Sequence, residues 1–246
     1  MSRRSILLTN AAGFFSDTSP GGGGNVSVNA LNLPNTSPVF ATDYLQSQSV
    51  FNYNANYSIM GWFRANEALT TWLFSIASAA DTTNIDALFY GSTNHLILNT
   101  KMADASQVDF TGSSTVATAT WFHAAMVRSS GTIGMYLNGT LEGAFQASNV
   151  TGRAASIGFT IGNNQGGAET GHDLSTCLVR IYTAALSQAE ISAEMLASSP
   201  VRTAGLFAHY PLSNTTDLAD STAAQPNLLL QGDEAQQVPG PNTLTS

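Results

Sequence analysis

The feature that most constrains the fold lies in the middle third of the chain. There Trp121-Phe122-His123-Ala124-Ala125-Met126-Val127 precedes Met135-Tyr136-Leu137-Asn138-Gly139-Thr140. In the first run Trp121, His123, Ala125 and Val127 alternate with Phe122, Ala124 and Met126, so both faces are largely apolar. That pattern predicts a strand covered on both sides, with Trp121 among the costliest side chains to remove. The second run is a shorter apolar strand ending in Asn138-Gly139, and residues 141–145 resume beyond it. Both residues of an Asn-Gly pair tolerate the positive φ of a type I′ turn, which predicts a two-residue hairpin. A covered strand beside a tight hairpin points to an antiparallel sandwich.

Composition narrows the functional classes. Charged residues are 10% of the 246, against about 25% in an ordinary domain. The formal net charge of −8, with Lys101 the single lysine, leaves no electrostatic footprint for nucleic acid or an anionic membrane. Cys177 is the one cysteine, which excludes an intramolecular disulfide and a cysteine-based metal site. Its apolar surroundings, Thr176-Cys177-Leu178-Val179, read as a buried small hydrophobe rather than a reactive thiol. The apolar run Ile6-Leu7-Leu8 is too short for a secretory signal core of about 7 residues or more. No run approaches the roughly 18 apolar residues of a membrane span. Synthesis in a cytoplasm, without export or membrane insertion, is the expectation.

Along the chain, three parts are expected. Residues 1–38 read as an N-terminal arm, because Gly21-Gly22-Gly23-Gly24 argues against regular structure, although residues 25–29 could add an edge strand. Residues 39–232 carry dense strand patterns, among them 49–51, 57–64, 71–77, 87–90, 95–98, 107–110 and 155–161. Residues 233–246 read as a C-terminal tail. One short helix is predicted near 187–197, opened by the capping box Ser187-Gln188-Ala189-Glu190, with Ile191, Met195 and Leu196 on its apolar face and Pro200 past its end. Glu190 and Glu194 are expected on its solvated side. Pro211 marks the end or edge of a strand at residues 206–212.

Six stretches in this order resemble the laminin-G-like, concanavalin A-like lectin/glucanase jelly-roll superfamily. Tyr57-Ser58-Ile59-Met60-Gly61-Trp62-Phe63 is similar to its aromatic–Ser/Thr–Ile–x–small–Trp strand, and residues 121–127 to its Trp–x–His–apolar–Ala strand. Residues 135–139 resemble its Tyr–apolar–Asn–Gly hairpin, and Phe159-Thr160-Ile161-Gly162 its apolar–x–Ile–Gly strand. Leu178-Val179-Arg180-Ile181-Tyr182, followed by Ala185-Leu186-Ser187 and Glu190-Ile191, resembles its closing strand and helix. Tyr210-Pro211-Leu212 with Asp220-Ser221 and Leu228 completes the set. The resemblance implies an all-β fold, an antiparallel jelly-roll β-sandwich with one short helix. It also implies rim loops that bind glycans, proteins or calcium in relatives. Where the family often carries a Gly and an acidic pair ahead of the Val–Arg–Ile–Tyr strand, this chain has Asp173-Leu174-Ser175-Thr176-Cys177.

Catalysis finds little support. The glucanase branch, by resemblance, carries Glu-x-Asp-x-x-Glu on one strand, and no such string occurs here. His95, His123, His172 and His209 make no close pair, and no Gly-x-Ser-x-Gly elbow is present. His123, inside a strand, is expected to be a hydrogen-bonded structural imidazole. The best ligand-binding candidate is the loop from Gly162 to Asp173, with Asn163, Asn164, Gln165, Glu169, His172 and Asp173 offering amide and carboxylate oxygens around Gly166 and Gly167. Such oxygens suit sugar hydroxyls or a hard cation such as calcium. Asp81 and Asp86, in a second polar stretch, are the candidate metal ligands. No cofactor is expected to be needed for folding, and calcium is the one cation the loops would take. Phe14, Phe15, Tyr44, Phe51 and Tyr53 are candidates for stacking on a sugar.

The expected function is a non-enzymatic structural or interaction protein on a phage virion surface: a capsid decoration, fibre or tail protein with glycan binding. It would be multi-copy and joined to other virion subunits through the N-terminal arm. An exported carbohydrate-binding module or adhesin is the alternative reading, with a glycoside hydrolase behind both.

Overall fold

The computed structural model describes residues 25–26, 28–34, 43–47, 55–78, 81–101, 107–147, 158–163, 173–215, 217–231, 235–242 and 244–245. The strands, numbered in chain order, begin with β1 (Asn25–Val26), β2 (Asn29–Leu33), β3 (Tyr44–Gln46) and β4 (Tyr57–Ala65). Next come β5 (Thr71–Ser78), β6 (Asp81–Tyr90), β7 (His95–Lys101) and β8 (Gln107–Thr115). β9 (Phe122–Ser129), β10 (Thr132–Leu137), β11 (Thr140–Leu141) and β12 (Gln146–Ala147) form the middle of the chain. β13 (Phe159–Ile161) and β14 (Leu174–Tyr182) lead to the helix α1 (Gln188–Leu196). β15 (Leu206–Tyr210), β16 (Leu229–Gln231), β17 (Gln236–Pro239) and β18 (Leu244–Thr245) close it.

Two antiparallel sheets face each other. One runs β11-β10-β9-β4-β14-β2-β17, with β12 added on β10 and β15 on β14; the other runs β16-β3-β13-β5-β6-β7-β8. Between them lies the main core, in which Tyr57, Ile59, Phe63, Phe74, Leu88, Phe122, Met126, Phe159, Val179 and Ile181 are buried. Each large apolar side chain so placed contributes roughly 1.5–3 kcal/mol. The Asn138-Gly139 turn joins β10 to β11 as predicted, with Leu137 opposite Thr140 and both turn residues at positive φ, 48° and 78°.

The strand motifs have structural causes. In β4, the Tyr57 hydroxyl donates to Asp86 Oδ2 at 2.7 Å, and Ser58 Oγ donates to the Ala184 carbonyl while accepting from the Leu186 N–H. Gly61 is closely packed: a Cβ there would stand 3.0 Å from Val179 Cγ2. Trp62 Nε1 donates to the Met195 carbonyl at 3.0 Å, pinning α1 to the outer face of the larger sheet. The capping box of α1 forms as expected, with the Ser187 N–H donating to Glu190 Oε2 at 2.8 Å.

β14 contains a bulge. Cys177 stands opposite Trp62 and Arg180 opposite Met60, so three steps on β14 match two on β4. The extra residue is accommodated at Leu178, whose φ is 52°. Leu174, Val179 and Ile181 all point into the main core, whereas Cys177 and Tyr182 pack in the clusters on the α1 side.

Several expectations are corrected. Asn29–Leu33, assigned to the N-terminal arm, is β2, an interior strand between β14 and β17 with Ala30, Leu31 and Leu33 buried. Gln236–Pro239, assigned to the tail, pairs with β2, and Leu244 is buried. Both misassignments have one cause: the partners lie more than 140 residues away in the chain, so no local pattern announces them. Trp121 precedes β9 and is only partly buried, against the Trp62–Cys177–Leu178 cluster. Leu196 is 43% exposed, while Glu194, expected on the solvated side, is buried. Residues 1–24, 49–51 and 155–157 lie outside the described residues.

Candidate ligand-binding cleft

The two sheets part along the side where β8, the last strand of the smaller sheet, faces β10 and the segment after β11. The opening is a cleft of about 220 Å³. Its floor is apolar, made by Leu98 and Met135 from the main core, with Phe110 beside them. Asp109, Thr111, Glu142 and Gln146 supply the polar lining.

Local structure fixes each polar group. Glu142 leaves β11 with its N–H donating to the Met135 carbonyl at 2.9 Å, and Gly143 turns the chain at φ 81°. The Glu142 carboxylate reaches across to β8, where Oε2 accepts from the Ser114 N–H at 2.8 Å and Ser113 Oγ at 3.1 Å. Gly112 permits this approach, since a Cβ there would sit 3.0 Å from Glu142 Oε2. Burial pushes the Glu142 carboxyl up, but the donors at Ser114 and Ser113 outweigh it and hold the group below its ordinary value. Asp109 Oδ1 accepts from Asn99 Nδ2. Gln146 donates through Nε2 to the Ala144 carbonyl at 2.7 Å, which leaves its Oε1 as an acceptor.

Such a site combines apolar side chains with oriented acceptors for hydroxyls, the usual division of labour in a small-molecule site. It is smaller than the roughly 300–1,000 Å³ of a drug-sized pocket, and so suits one ring of a longer ligand. The shift at Glu142 runs opposite to that of a glycosidase acid, whose carboxyl must stay protonated near neutral pH.

The residues singled out from sequence that fall within the described residues lie elsewhere. Asn163 is buried after β13, its main-chain carbonyl accepting from Thr160 Oγ1 at 2.6 Å and Ser75 Oγ at 3.3 Å. Asp173 precedes β14, and its Oδ1 accepts from Asn66 Nδ2 at 2.8 Å, in a polar knot with Asn32 and Ser175. Asn164, Gln165, Glu169 and His172 lie outside the described residues. The polar loop expected at 81–86 is instead the first half of β6. There Asp86 is buried, accepting from Tyr57 at Oδ2 and from Thr100 at Oδ1, so it serves the core rather than a rim. Among the described residues no three His, Cys, Asp or Glu side chains gather as a metal site. Tyr44 is half-buried in β3; Phe14, Phe15, Phe51 and Tyr53 lie outside the described residues. Phe110, the aromatic at the cleft, carried no sequence signal beyond a weak strand pattern.

A second polar group sits beneath α1. Arg180 Nη1 lies 2.9 Å from Glu194 Oε2, and Nη2 donates to the Ala197 carbonyl at 2.6 Å. Burial, with Arg180 adding to it, drops His123 to about 3; its Nδ1 has no partner, contrary to the hydrogen-bonded imidazole expected. Burial likewise raises the Cys177 thiol well above its usual range. With its hydrogen bonds directed at Glu194 and Ala197, this group reads as the fastening of α1.

A family model described as the concanavalin A-like lectin/glucanases superfamily matches residues 40–192. A native heptameric SAP-like pentraxin from Limulus polyphemus superposes with a TM-score of 0.63 at 17% identity, covering 89% of this chain and 97% of that one. A candidate carbohydrate-binding protein from Bacteroides ovatus ATCC 8483 gives a TM-score of 0.60 at 16% identity, covering 89% of this chain and 61% of the other. At these identities the likeness is one of fold. No curated protein matches the chain in sequence. With the matched strands and α1 joined by the contacts described above, the chain belongs to the concanavalin A-like lectin/glucanase superfamily.

Proposed function

We propose that the protein is a non-catalytic carbohydrate-binding module that holds one saccharide ring in the cleft between β8 and β10. The observation that carries this reading is Glu142: a carboxylate fixed through Oε2, kept ionised, and placed beside Phe110 in an open cleft. The lectin-like fold and the carbohydrate-binding neighbour support the ligand class. Display in many copies on a phage virion surface, attached through residues ahead of β1, is the setting proposed with it. Weak single sites would gain from such multivalency. That setting rests on the sequence: the Gly21-Gly22-Gly23-Gly24 run in the N-terminal arm and a chain with a single lysine. No cofactor is needed in this reading.

A glycan array probed with the full chain tests it, with and without chelator, beside Phe110→Ala. Binding should survive chelation and fall about tenfold or more in the variant, as expected when an aromatic platform is lost. Release of reducing ends from a bound glycan, or equal binding by Phe110→Ala, would refute it. Mass spectrometry of purified particles tests the virion setting, which fails if the chain is absent from them.

A further inference from the structure

Among the described residues, the cleft is lined by Asp109 and Glu142 and by no lysine, arginine or histidine. Both carboxylates are oriented by hydrogen bonds from neighbouring strands. Asp109 Oδ1 accepts from Asn99, and Glu142 is oriented by donors on Ser113 and Ser114, among them the Ser114 N–H and Ser113 Oγ at Oε2. Glu142 is 6% exposed and lines the cleft, so its carboxylate is a positioned group rather than a swinging surface one. Gln146, with its amide N–H committed to Ala144, adds a further acceptor.

A cleft that offers oriented acceptors and negative charge recognises donors. Neutral hydroxyls satisfy it, and an ammonium group satisfies it better, since a charge-assisted hydrogen bond is about twice as strong as a neutral one. A carboxylate or sulfate on the ligand would face Glu142 and Asp109 with no counter-charge and with its own lone pairs opposed to theirs. Resting on the carbohydrate reading above, we propose that the cleft selects saccharides bearing a free amine over neutral ones and rejects anionic saccharides.

Titration calorimetry with the full chain compares three probes of matched length: glucosamine oligomers, their N-acetylated counterparts and oligogalacturonate. At low salt the amine-bearing oligomer should bind roughly five- to tenfold tighter than the acetylated one, the scale of one charge pair near the surface. The anionic oligomer should show no binding. Glu142→Gln, which keeps an acceptor for the Ser114 N–H, should shrink the amine preference severalfold, and so should 0.5 M salt. Equal affinity for the amine and acetylated probes, or binding of oligogalacturonate, overturns the inference while leaving the carbohydrate reading in place. Failure of all three probes to bind refutes both. Binding that requires added calcium overturns the inference as well, because the carboxylates would then be holding a cation rather than the sugar's amine.

Discussion

Glu194→Ala should be among the most damaging single changes in the chain. The Glu194 side chain is 1% exposed and shares Oε2 with Arg180 Nη1 at 2.9 Å. Its Oε1 accepts the Arg202 N–H at 2.6 Å, and the Val201 N–H donates to both oxygens at 3.1 and 3.2 Å. Truncation therefore leaves a buried guanidinium without its counter-charge and two N–H groups without acceptors. Removing one partner of a buried pair costs about 3–5 kcal/mol. At roughly 2–4 °C per kcal/mol for a chain of this size, Tm should fall by about 6–20 °C. Arg180→Met should be comparable, because it strands the carboxylate instead. The double variant Arg180→Met with Glu194→Leu should lose less than either single change, since neither charge is left unpaired. Urea titration of the three variants measures this. A loss below about 1 kcal/mol for Glu194→Ala, or a double variant worse than the sum of the singles, would refute the account of how α1 is fastened.

Phe122→Ala, which empties a site facing Phe63 and Tyr90 in the main core, should cost about 3–5 kcal/mol, whereas Trp121→Ala should cost clearly less; paired urea melts decide the order. Burial, with Arg180 adding to it, holds His209 near pH 4 in the folded chain, against an ordinary 6.5. The unfolded chain therefore binds more protons between those values. Stability should be full above about pH 6.5 and decline as the pH falls toward 4, and His209→Asn should flatten that slope of the urea midpoint. Cys177, fully buried with its thiol raised by desolvation, should resist a thiol reagent at pH 8 in the native protein and react stoichiometrically once unfolded.

What could be read from sequence was local. The Asn138-Gly139 turn, the Ser187 capping box, and the strands at 57–65 and 122–129 each depend on residues within a few positions of one another. Features that depend on distant partners stayed hidden. Glu194 looked solvated because its counter-charge, Arg180, sits on β14 rather than on the helix. The strands β2 and β17 were hidden because each completes the other across most of the chain. The cleft was invisible for the same reason: Asp109 on β8 and Glu142 after β11 are far apart in the chain and line one opening only because the sandwich parts at β8. The Asn-rich loop at 162–173 drew attention by composition, yet its two described members, Asn163 and Asp173, are tied into internal networks.

The bulge at Leu178 sets the phase of the strand that carries it. Side chains on a strand alternate between faces, so one inserted residue inverts the parity of everything that follows. Upstream of the bulge, even-numbered Leu174 faces the core; downstream, odd-numbered Val179 and Ile181 do, and Arg180 is free to meet α1. With one residue fewer, the same letters would send the guanidinium between the sheets and turn two aliphatic side chains toward the helix. The strand is thus tolerant of changes in spelling but not of changes in length. The left-handed backbone of Leu178, a conformation that costs about 1–2 kcal/mol for a residue with a Cβ, is what keeps the frame.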